Sequence, residues 1–493
     1  MSRKGTDAMD KIKVWFASSE VAPFIKTGGL ADVAGSLPKA LKGLGVDIRV
    51  VLPKYSQIDQ KFVSKMEFVG NCQIDLSWRK QYCGVFKYEF DGVTYYFIDN
   101  EYYFFREGLY GLYDDGERFS FFCKAILEVL PLIGFKPDII HLNDWQTGMV
   151  SLLLDAHYRN RESGYFKRIH TLFTIHNLKY QGVFPKSVLG DLLDLDWRYF
   201  HIDGVEFYDS INFLKAGLSY SSELSTVSRT YAEEIKYDFF GENLQDIIRR
   251  RSSDMHGIVN GIDFETNDPE TDDRLYVNFS KADLSGKYEN KRRLQQDLGL
   301  DVTPDVPIVS FISRLVDQKG LDLIEHMLPE LVEMGLQFVV LGTGEKRYED
   351  FFLYAQSQYP GKVSANIRYD GILAQRIYAA SDMYLMPSLY EPCGLSQIFS
   401  MRYGTVPVVR ETGGLKDTVV PYNVFTKEGT GFTFANYNAH EMKDAVARAL
   451  EIYRNREEWE KLIIRCMSQD FSWENSAKEY KNLYRNMLTR FNL

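Results

Sequence analysis

Short apolar runs alternate with helix-spaced segments along this chain, and the first fifty residues set the rhythm. "KVWFASS" (13–19) has the length of a buried strand, "LADVAGSLPKALKGLG" (30–45) repeats its apolar positions at helical spacing, and "DIRVVLP" (47–53) is a second strand. Strand, helix, strand in that order predicts a βαβ unit and a parallel sheet. Pro38 lacks the N–H that a helix interior uses, so a kink or a helix start near Ser36 is expected. "PDIIHL" (137–142), "HTLFTIH" (170–176) and "ELSTVS" (223–228) continue the strand series. A second series follows a break: "PIVSFISR" (307–314), "QFVVLG" (337–342), "MYLMPS" (383–388) and "TVPVVR" (405–410), each trailed by a helix-like segment. The polar, turn-rich stretch 249–273 separates the two series and is expected to be a hinge between doubly wound domains. The segment 472–491 reads as a final amphipathic helix.

Bulk properties narrow the function classes. A chain of 493 residues with 45% hydrophobic content is long enough for two cores. Its net charge of −10 argues against a general nucleic-acid binder, while leaving room for a local basic pocket that takes a small phosphorylated ligand. The five cysteines (Cys72, Cys83, Cys123, Cys393, Cys466) form no C-x-x-C pair, which excludes a disulfide scaffold or zinc knuckle and fits a reducing compartment. Aromatic content of 14% fills cores and can also line sugar-stacking surfaces. The polar opening "MSRKGTDAMDKIK" shows no signal peptide and no apolar stretch reaches the ~20 residues of a membrane helix, so a soluble, cytoplasmic protein is expected.

In doubly wound sheets, ligands bind beyond the carboxyl ends of the strands, so the loops there carry the candidate chemistry. "KTGGL" (26–30) is either a plain tight turn or a helix start whose amides, with Lys26, face an anion across Gly28 and Gly29. "HLNDWQTG" places Asp144 just past one strand, and "TIHNLKYQG" places His176 and Asn177 past another; these suit sugar contacts or acid–base work, although a core histidine remains the alternative for His176. "FISRLVDQKG" brings Arg314 and Lys319 onto one turn before Gly320, which suits a departing diphosphate as well as a solvated loop. "LGTGE" has Arg347 where a dinucleotide fingerprint needs its last glycine, which disfavours an NAD enzyme. "SLYEPCGLSQ" (388–397) crowds Glu391, Cys393 and Gly394 ahead of the helix-like "LSQIFSMRYG". Cys393 is better taken as a backbone donor on the helix start than as a nucleophile, with a thiol whose pKa the helix start can lower. "ETGGLKD" (411–417) repeats the design one strand later.

In order, "KTGGLADV", "HLNDWQ", "TIHNLKYQG", "INFLKAGL", "GIVNGID", "SRLVDQKGLDL", "YEPCGLSQ", "RETGGLKDTV" and "DFSW" resemble the bacterial type of the glycogen/starch synthase family of retaining glucosyltransferases, from about residue 12 to 488. The resemblance implies a GT-B fold, two Rossmann-like doubly wound α/β domains facing across a deep cleft: an N-terminal domain over 1–255, completed by the helix 472–493, and a nucleotide-sugar domain over 256–471. It implies glucose transfer from ADP-glucose, or UDP-glucose, to the non-reducing end of an α-1,4-glucan, with no metal or other cofactor and no nucleic-acid or membrane partner.

By the matching motifs, Arg314 and Lys319 would neutralise the diphosphate. Glu391 would contact the glucose, with the Cys393, Gly394 and Leu395 segment on its hydroxyls, and Asp144, His176 and Asn260 would line the sugar from the other domain, beside Asn177. Lys26, Thr27, Gly28 and Gly29 would approach the phosphates, and Gly342, Tyr369 and Ser396 the nucleotide side. "NDWQ" stands where the family carries "HDWH", Tyr369 precedes Asp370 rather than a histidine, and the tryptophan usual after "NGID" is replaced; these departures bear on base selection. Phe399 interrupts the E-x7-E pattern of other retaining GT-B enzymes. Another retaining nucleotide-sugar glycosyltransferase of the same fold, or a non-catalytic glucan-binding homologue, are the competing readings.

Overall fold

Strands that are apolar on both faces need helices on both sides, and the two strand series meet that need in separate sheets. The structure, a computed structural model, describes residues 11–491; the polar opening over 1–10 and the last two positions of the segment 472–493 lie outside the described residues. The chain divides into two compact units, one of Met1–Val227, Ala232–Ile258 and Trp473–Leu493, the other of Ser228–Tyr231 and Val259–Ser472.

The first unit holds β1 (Lys13–Ala17), β2 (Asp47–Pro53), β3 (Glu67–Leu76), β4 (Arg79–Phe90), β5 (Val93–Asp99), β6 (Ile139–Asn143) and β7 (His170–Ile175). Three short strands, β8 (Val183–Pro185), β9 (Glu206–Phe207) and β10 (Ser210–Asn212), make a small sheet of their own. With β11 (Glu223–Thr226) and β12 (Met255–Gly257) the large sheet has nine strands in the order β12-β11-β7-β6-β1-β2-β5-β4-β3. It is parallel from β12 to β5 and turns antiparallel through β4 and β3. Chain order reverses between β1 and β6, which makes their carboxyl ends the ligand-binding position of such a sheet.

Of the two outcomes expected at Pro38, a new helix start near Ser36 is not found: the helix Gly29–Gly43 runs through the proline. Its buried residues include Leu30, Val33, Ala34, Leu37 and Leu41, and the helix packs against the helix Trp473–Phe491 and against β2 and β5; that packing outweighs one lost backbone bond. The stretch 249–273 holds the passage from one unit to the other, after Ile258, as expected, and it also contributes β12 to the edge of the large sheet.

The helix Trp473–Phe491 is fastened from beneath by a buried histidine. His141 on β6 bonds the Tyr484 hydroxyl through Nδ1 and the Thr174 hydroxyl through Nε2, both at 2.7 Å. Burial pulls its pKa down to about 3, so the ring is neutral near neutral pH.

The second unit contains β13 (Ile308–Ile312), β14 (Gln337–Leu341), β15 (Val363–Asn366), β16 (Met383–Met386), β17 (Val406–Arg410) and β18 (Phe432–Phe434). They form one parallel sheet in the order β15-β14-β13-β16-β17-β18, so the chain reverses direction across the sheet between β13 and β16. Among the described residues no helix is long and apolar enough to cross a membrane.

Candidate active site

In the second unit, the loops after β13 and β16 leave the sheet at its reversal point and lie against each other. The turn Asp317–Lys319 ends at Gly320, whose φ is 72° and where a Cβ would stand 2.1 Å from the Pro387 carbonyl, so only glycine fits. The Leu389 amide donates to the Gln318 carbonyl at 2.9 Å, tying the two loops together. That closeness lets the Lys319 ammonium reach the Glu391 carboxylate at 2.7 Å, with side chains only 13% and 8% exposed. The Ser388 hydroxyl donates to the same carboxylate oxygen at 3.0 Å. Among the described residues no other contact engages Lys319 Nζ or Glu391 Oε1, so the pair keeps donors and an acceptor for a ligand. Arg314 is exposed at the end of β13.

The loop after β17 supports Glu391 from below. Gly413, at φ 45°, sits where a Cβ would lie 1.9 Å from the Glu391 carbonyl, and the Gly414 amide donates to that carbonyl at 3.1 Å. Arg410 donates through Nη1 to the Leu389 carbonyl at 2.7 Å. Gln397 turns back to donate to the Cys393 and Gly394 carbonyls at 3.1 and 2.9 Å.

Ahead of the helix Ser396–Arg402, the amides of Cys393, Gly394, Leu395 and Ser396 meet no acceptor among the described residues. The Cys393 thiol is buried and its pKa is pushed up to about 12, with only a partial offset from the Asn260 amide, so the acidified thiol expected of a helix start is not found. Asn260 belongs to this unit and not to the other domain as expected; its buried Oδ1 has no hydrogen-bond partner. The Ser396 hydroxyl bonds towards Tyr378 and Tyr384. Gly342 is needed for close approach, because a Cβ there would meet the Ser313 carbonyl at 1.9 Å, just before Arg314. Tyr369, in the loop after β15, is 87% exposed.

In the first unit the loop after β1 folds over Glu20, a residue that motif reading passed over. Its buried carboxylate accepts from the Thr27 amide at 2.5 Å, the Thr27 hydroxyl at 2.9 Å, the Gly28 amide at 3.2 Å and the Tyr110 hydroxyl at 3.2 Å. Two amides of "KTGGL" therefore already face an internal anion. Lys26 pairs with Asp32 at 2.7 Å, and the space where Gly28 would carry a Cβ is open.

At the end of β6, Asp144 adopts φ 55°, which aims its carboxylate at the next loop, where Oδ1 accepts from the His176 amide at 2.7 Å and the Asn177 amide also donates to the carboxylate. Burial raises its pKa to about 7 against the lowering effect of those amides. The His176 ring bonds the Asn143 side-chain oxygen through Nε2 at 2.9 Å, and Asn143 in turn donates to the Ala17 carbonyl at 3.0 Å. Burial lowers the His176 pKa to about 3. The imidazole is thus neutral and holds its proton on Nε2, and Nδ1 is left as an acceptor. Asn177 accepts from the Lys179 amide at 3.1 Å.

Among the described residues, no group of three or more His, Cys, Asp or Glu side chains could hold a metal ion.

A family model described as the starch synthase catalytic domain matches residues 13–250, and one described as glycosyl transferases group 1 matches residues 293–463. The chain is 52% identical to the glycogen synthase of Desulforamulus reducens over 477 residues, 97% of this chain and 99% of that protein. It is also 52% identical to the glycogen synthase of Clostridium acetobutylicum over 479 residues, 97% and 100% of the two chains. The catalytic domain of starch synthase IV from Arabidopsis thaliana, solved with ADP and acarbose bound, matches with a TM-score of 0.90 at 36% identity, covering 97% of this chain and 99% of that one. Sucrose-phosphate synthase from Thermosynechococcus elongatus, at 18% identity and a TM-score of 0.61 over 97% of this chain and 100% of that one, shares the fold alone. The fold is GT-B, built from two Rossmann-like units.

Proposed function

The chain belongs to the glycogen/starch synthase family of glycosyltransferases, and from that premise we propose that it transfers glucose with retention from ADP-glucose to the 4-hydroxyl at the non-reducing end of an α-1,4-glucan. The observation that carries this reading is the Lys319–Glu391 pair at the reversal point of the second sheet, a cation and a carboxylate held together beside unused amides. The ADP bound to the Arabidopsis starch synthase supports an adenine donor.

In this reading Arg314 and Lys319 neutralise the departing diphosphate. Glu391 and the amides of Cys393, Gly394 and Leu395 hold the glucose hydroxyls. Asn260 offers its unpartnered oxygen, and Asp144, His176 and Asn177 contact the sugar, His176 as a neutral acceptor through Nδ1. Lys26, Thr27, Gly28 and Gly29 approach the phosphates; Gly342, Tyr369 and Ser396 lie towards the nucleotide. The bond from the anomeric carbon to the diphosphate breaks, the acceptor oxygen bonds to the same face, and its proton leaves with the diphosphate. The transition state resembles an oxocarbenium ion, so neutralising the leaving group and holding both partners supply the acceleration. Two protein cations do that without a metal.

Purified protein incubated with glycogen and radiolabelled ADP-glucose or UDP-glucose, in parallel and with or without excess EDTA, tests each part. Label entering glycogen faster from ADP-glucose, unchanged by EDTA, is expected. No incorporation from either donor overturns the activity, faster transfer from UDP-glucose overturns the donor assignment, and loss in EDTA overturns the metal-free account.

A further inference from the structure

β3, an edge strand of the nine-stranded sheet, runs antiparallel to β4 with Cys72 directly opposite Cys83. Side chains at opposite positions share a face, and their Cα atoms stand about 4.5 or 5.5 Å apart. Both spacings fall inside the ~4.4–6.8 Å that a disulfide spans. The two thiols already hydrogen-bond each other. No C-x-x-C spacing announces this pair; the strand register makes it, from residues on either side of the turn between β3 and β4.

The face they share lies against the helix Asp115–Leu132: a Cβ at Gly70, two positions before Cys72, would stand 3.3 Å from the Leu132 side chain. Cys83 is buried on that face and Cys72 is half-buried at its rim. Cys123, Cys393 and Cys466 are all buried. A reagent from solvent therefore reaches Cys72 first and finds Cys83 behind it. The bond from Cys83 holds the Cys72 pKa below the usual thiol value, whereas that bond and burial push the Cys83 pKa well up. Glu128 on the helix and Asp99 on β5 oppose a thiolate here, but each is already held by a cation, Arg161 at 2.7 Å and Lys54 at 2.9 Å.

We propose that Cys72 and Cys83 form a reversible disulfide site, Cys72 attacking and Cys83 resolving, which on oxidation fastens the edge strand β3 to β4. The oxidant is a low-molecular-weight disulfide. The Cys72 sulfur gives up its proton and attacks one sulfur of that disulfide; the external S–S bond breaks, and the thiolate that leaves takes up a proton. The Cys83 sulfur, losing its own proton, then attacks the Cys72 sulfur, and the second external thiol leaves with a proton in turn. Two protein thiols are oxidised and one external disulfide is reduced to two thiols. An edge strand is bonded on one side only, and a covalent link across the hairpin restricts its opening and the unfolded chain alike. No residue assigned to the transfer lies on β3 or β4, so the inference stands apart from the proposed activity.

In the test, the reduced full chain is incubated with oxidised glutathione, free thiols are blocked with iodoacetamide, and the product is digested with trypsin, which cuts after Arg79 and Lys80 between the two cysteines. Cys72→Ser, Cys83→Ser and Cys83→Ala are treated in parallel. The parent is expected to lose two thiols, to yield the Cys72 and Cys83 peptides joined, and to unfold at a higher urea midpoint that dithiothreitol reverses. In both Cys83 variants glutathione should stay on Cys72, roughly tenfold more than in the parent, because a facing thiol acts at an effective concentration above the millimolar range of free thiols. In Cys72→Ser, Cys83 should stay reduced. Glutathione persisting on Cys72 of the parent, a link from Cys72 to any other cysteine, or an oxidised midpoint no higher than the reduced one overturns the site. The digest of the parent decides the question even if the Cys83 variants do not fold.

Discussion

Lys319 and Glu391, 72 positions apart, meet at 2.7 Å because the loops after two strands at the reversal point of one sheet are held together. Removing either partner leaves the other nearly buried and unpaired, which costs more than removing both. Lys319→Ala and Glu391→Ala should each lower the urea midpoint, and the double variant should be destabilised by less than the sum of the two. Breaking such a pair costs about 3–5 kcal/mol when fully buried, and partial exposure here places the expected loss at the lower end. Additive losses would show that the pair is not coupled.

Gly413 props the backbone of Glu391, so its effect on activity should exceed its effect on stability. Gly413→Ala pushes a methyl into the Glu391 carbonyl, and displacing a reacting group by about 1 Å can cost ~10²-fold in rate. A kcat loss of that order is expected. Gly43→Ala, where a Cβ meets open space, should leave kcat unchanged.

Cys393 should behave as a spectator thiol. With its pKa near 12, almost none is thiolate at pH 8, so alkylation by iodoacetamide should be slow in the folded protein and fast after unfolding. Cys393→Ser keeps an acceptor for the Asn260 amide and should retain most of the turnover. Rapid labelling of native Cys393 with loss of activity would contradict this.

Acid should weaken the first unit through its buried histidines. His141 and His176 have folded pKa values near 3, below the 6.5 of a free histidine, so their contribution is present above pH 6.5 and lost as pH falls towards 3. Asp144 works the other way: its pKa near 7 exceeds the unfolded 3.8, so its contribution is present below 3.8 and lost as pH rises through 7. Between roughly pH 4.5 and 6, unfolding binds two imidazole protons and releases one carboxyl proton, a net uptake of one. From these groups stability should rise by about 1.4 kcal/mol per pH unit, and by about 2.7 in Asp144→Asn. Urea midpoints across this range check both slopes, and equal slopes would contradict the assignment.

Most of the parallel strands, though not β5, β12, β15 or β18, were legible with the loops after them because the apolar run ends where a polar motif begins, as at "FISRLVDQKG" and "MYLMPSLYEP". The hairpin of β4 and β5 was not read, although Asp91-Gly92 between two aromatic runs is a strong turn signal, with both residues at positive φ. Its first strand, β4, is half-exposed and lacks the continuous apolar run of the parallel ones. Glu20 was invisible as the partner of Thr27 and Gly28, because only the fold of the loop after β1 buries it there. Asn260 was expected on the other domain, but it lies in the second unit, where its amide bonds the thiol of Cys393, far along the chain. The acidity expected of Cys393 failed because burial outweighs a helix start in a site this closed.

The most direct test of the central claim is the initial rate of glucose transfer from ADP-glucose into glycogen by the intact chain, by Arg314→Ala and by Lys319→Ala. Loss of one group that stabilises developing charge costs about 10²–10³-fold in kcat, and a loss of that order is expected in both variants while the folded protein persists. Turnover equal to the intact chain in both variants would contradict the assignment of the leaving group to Arg314 and Lys319.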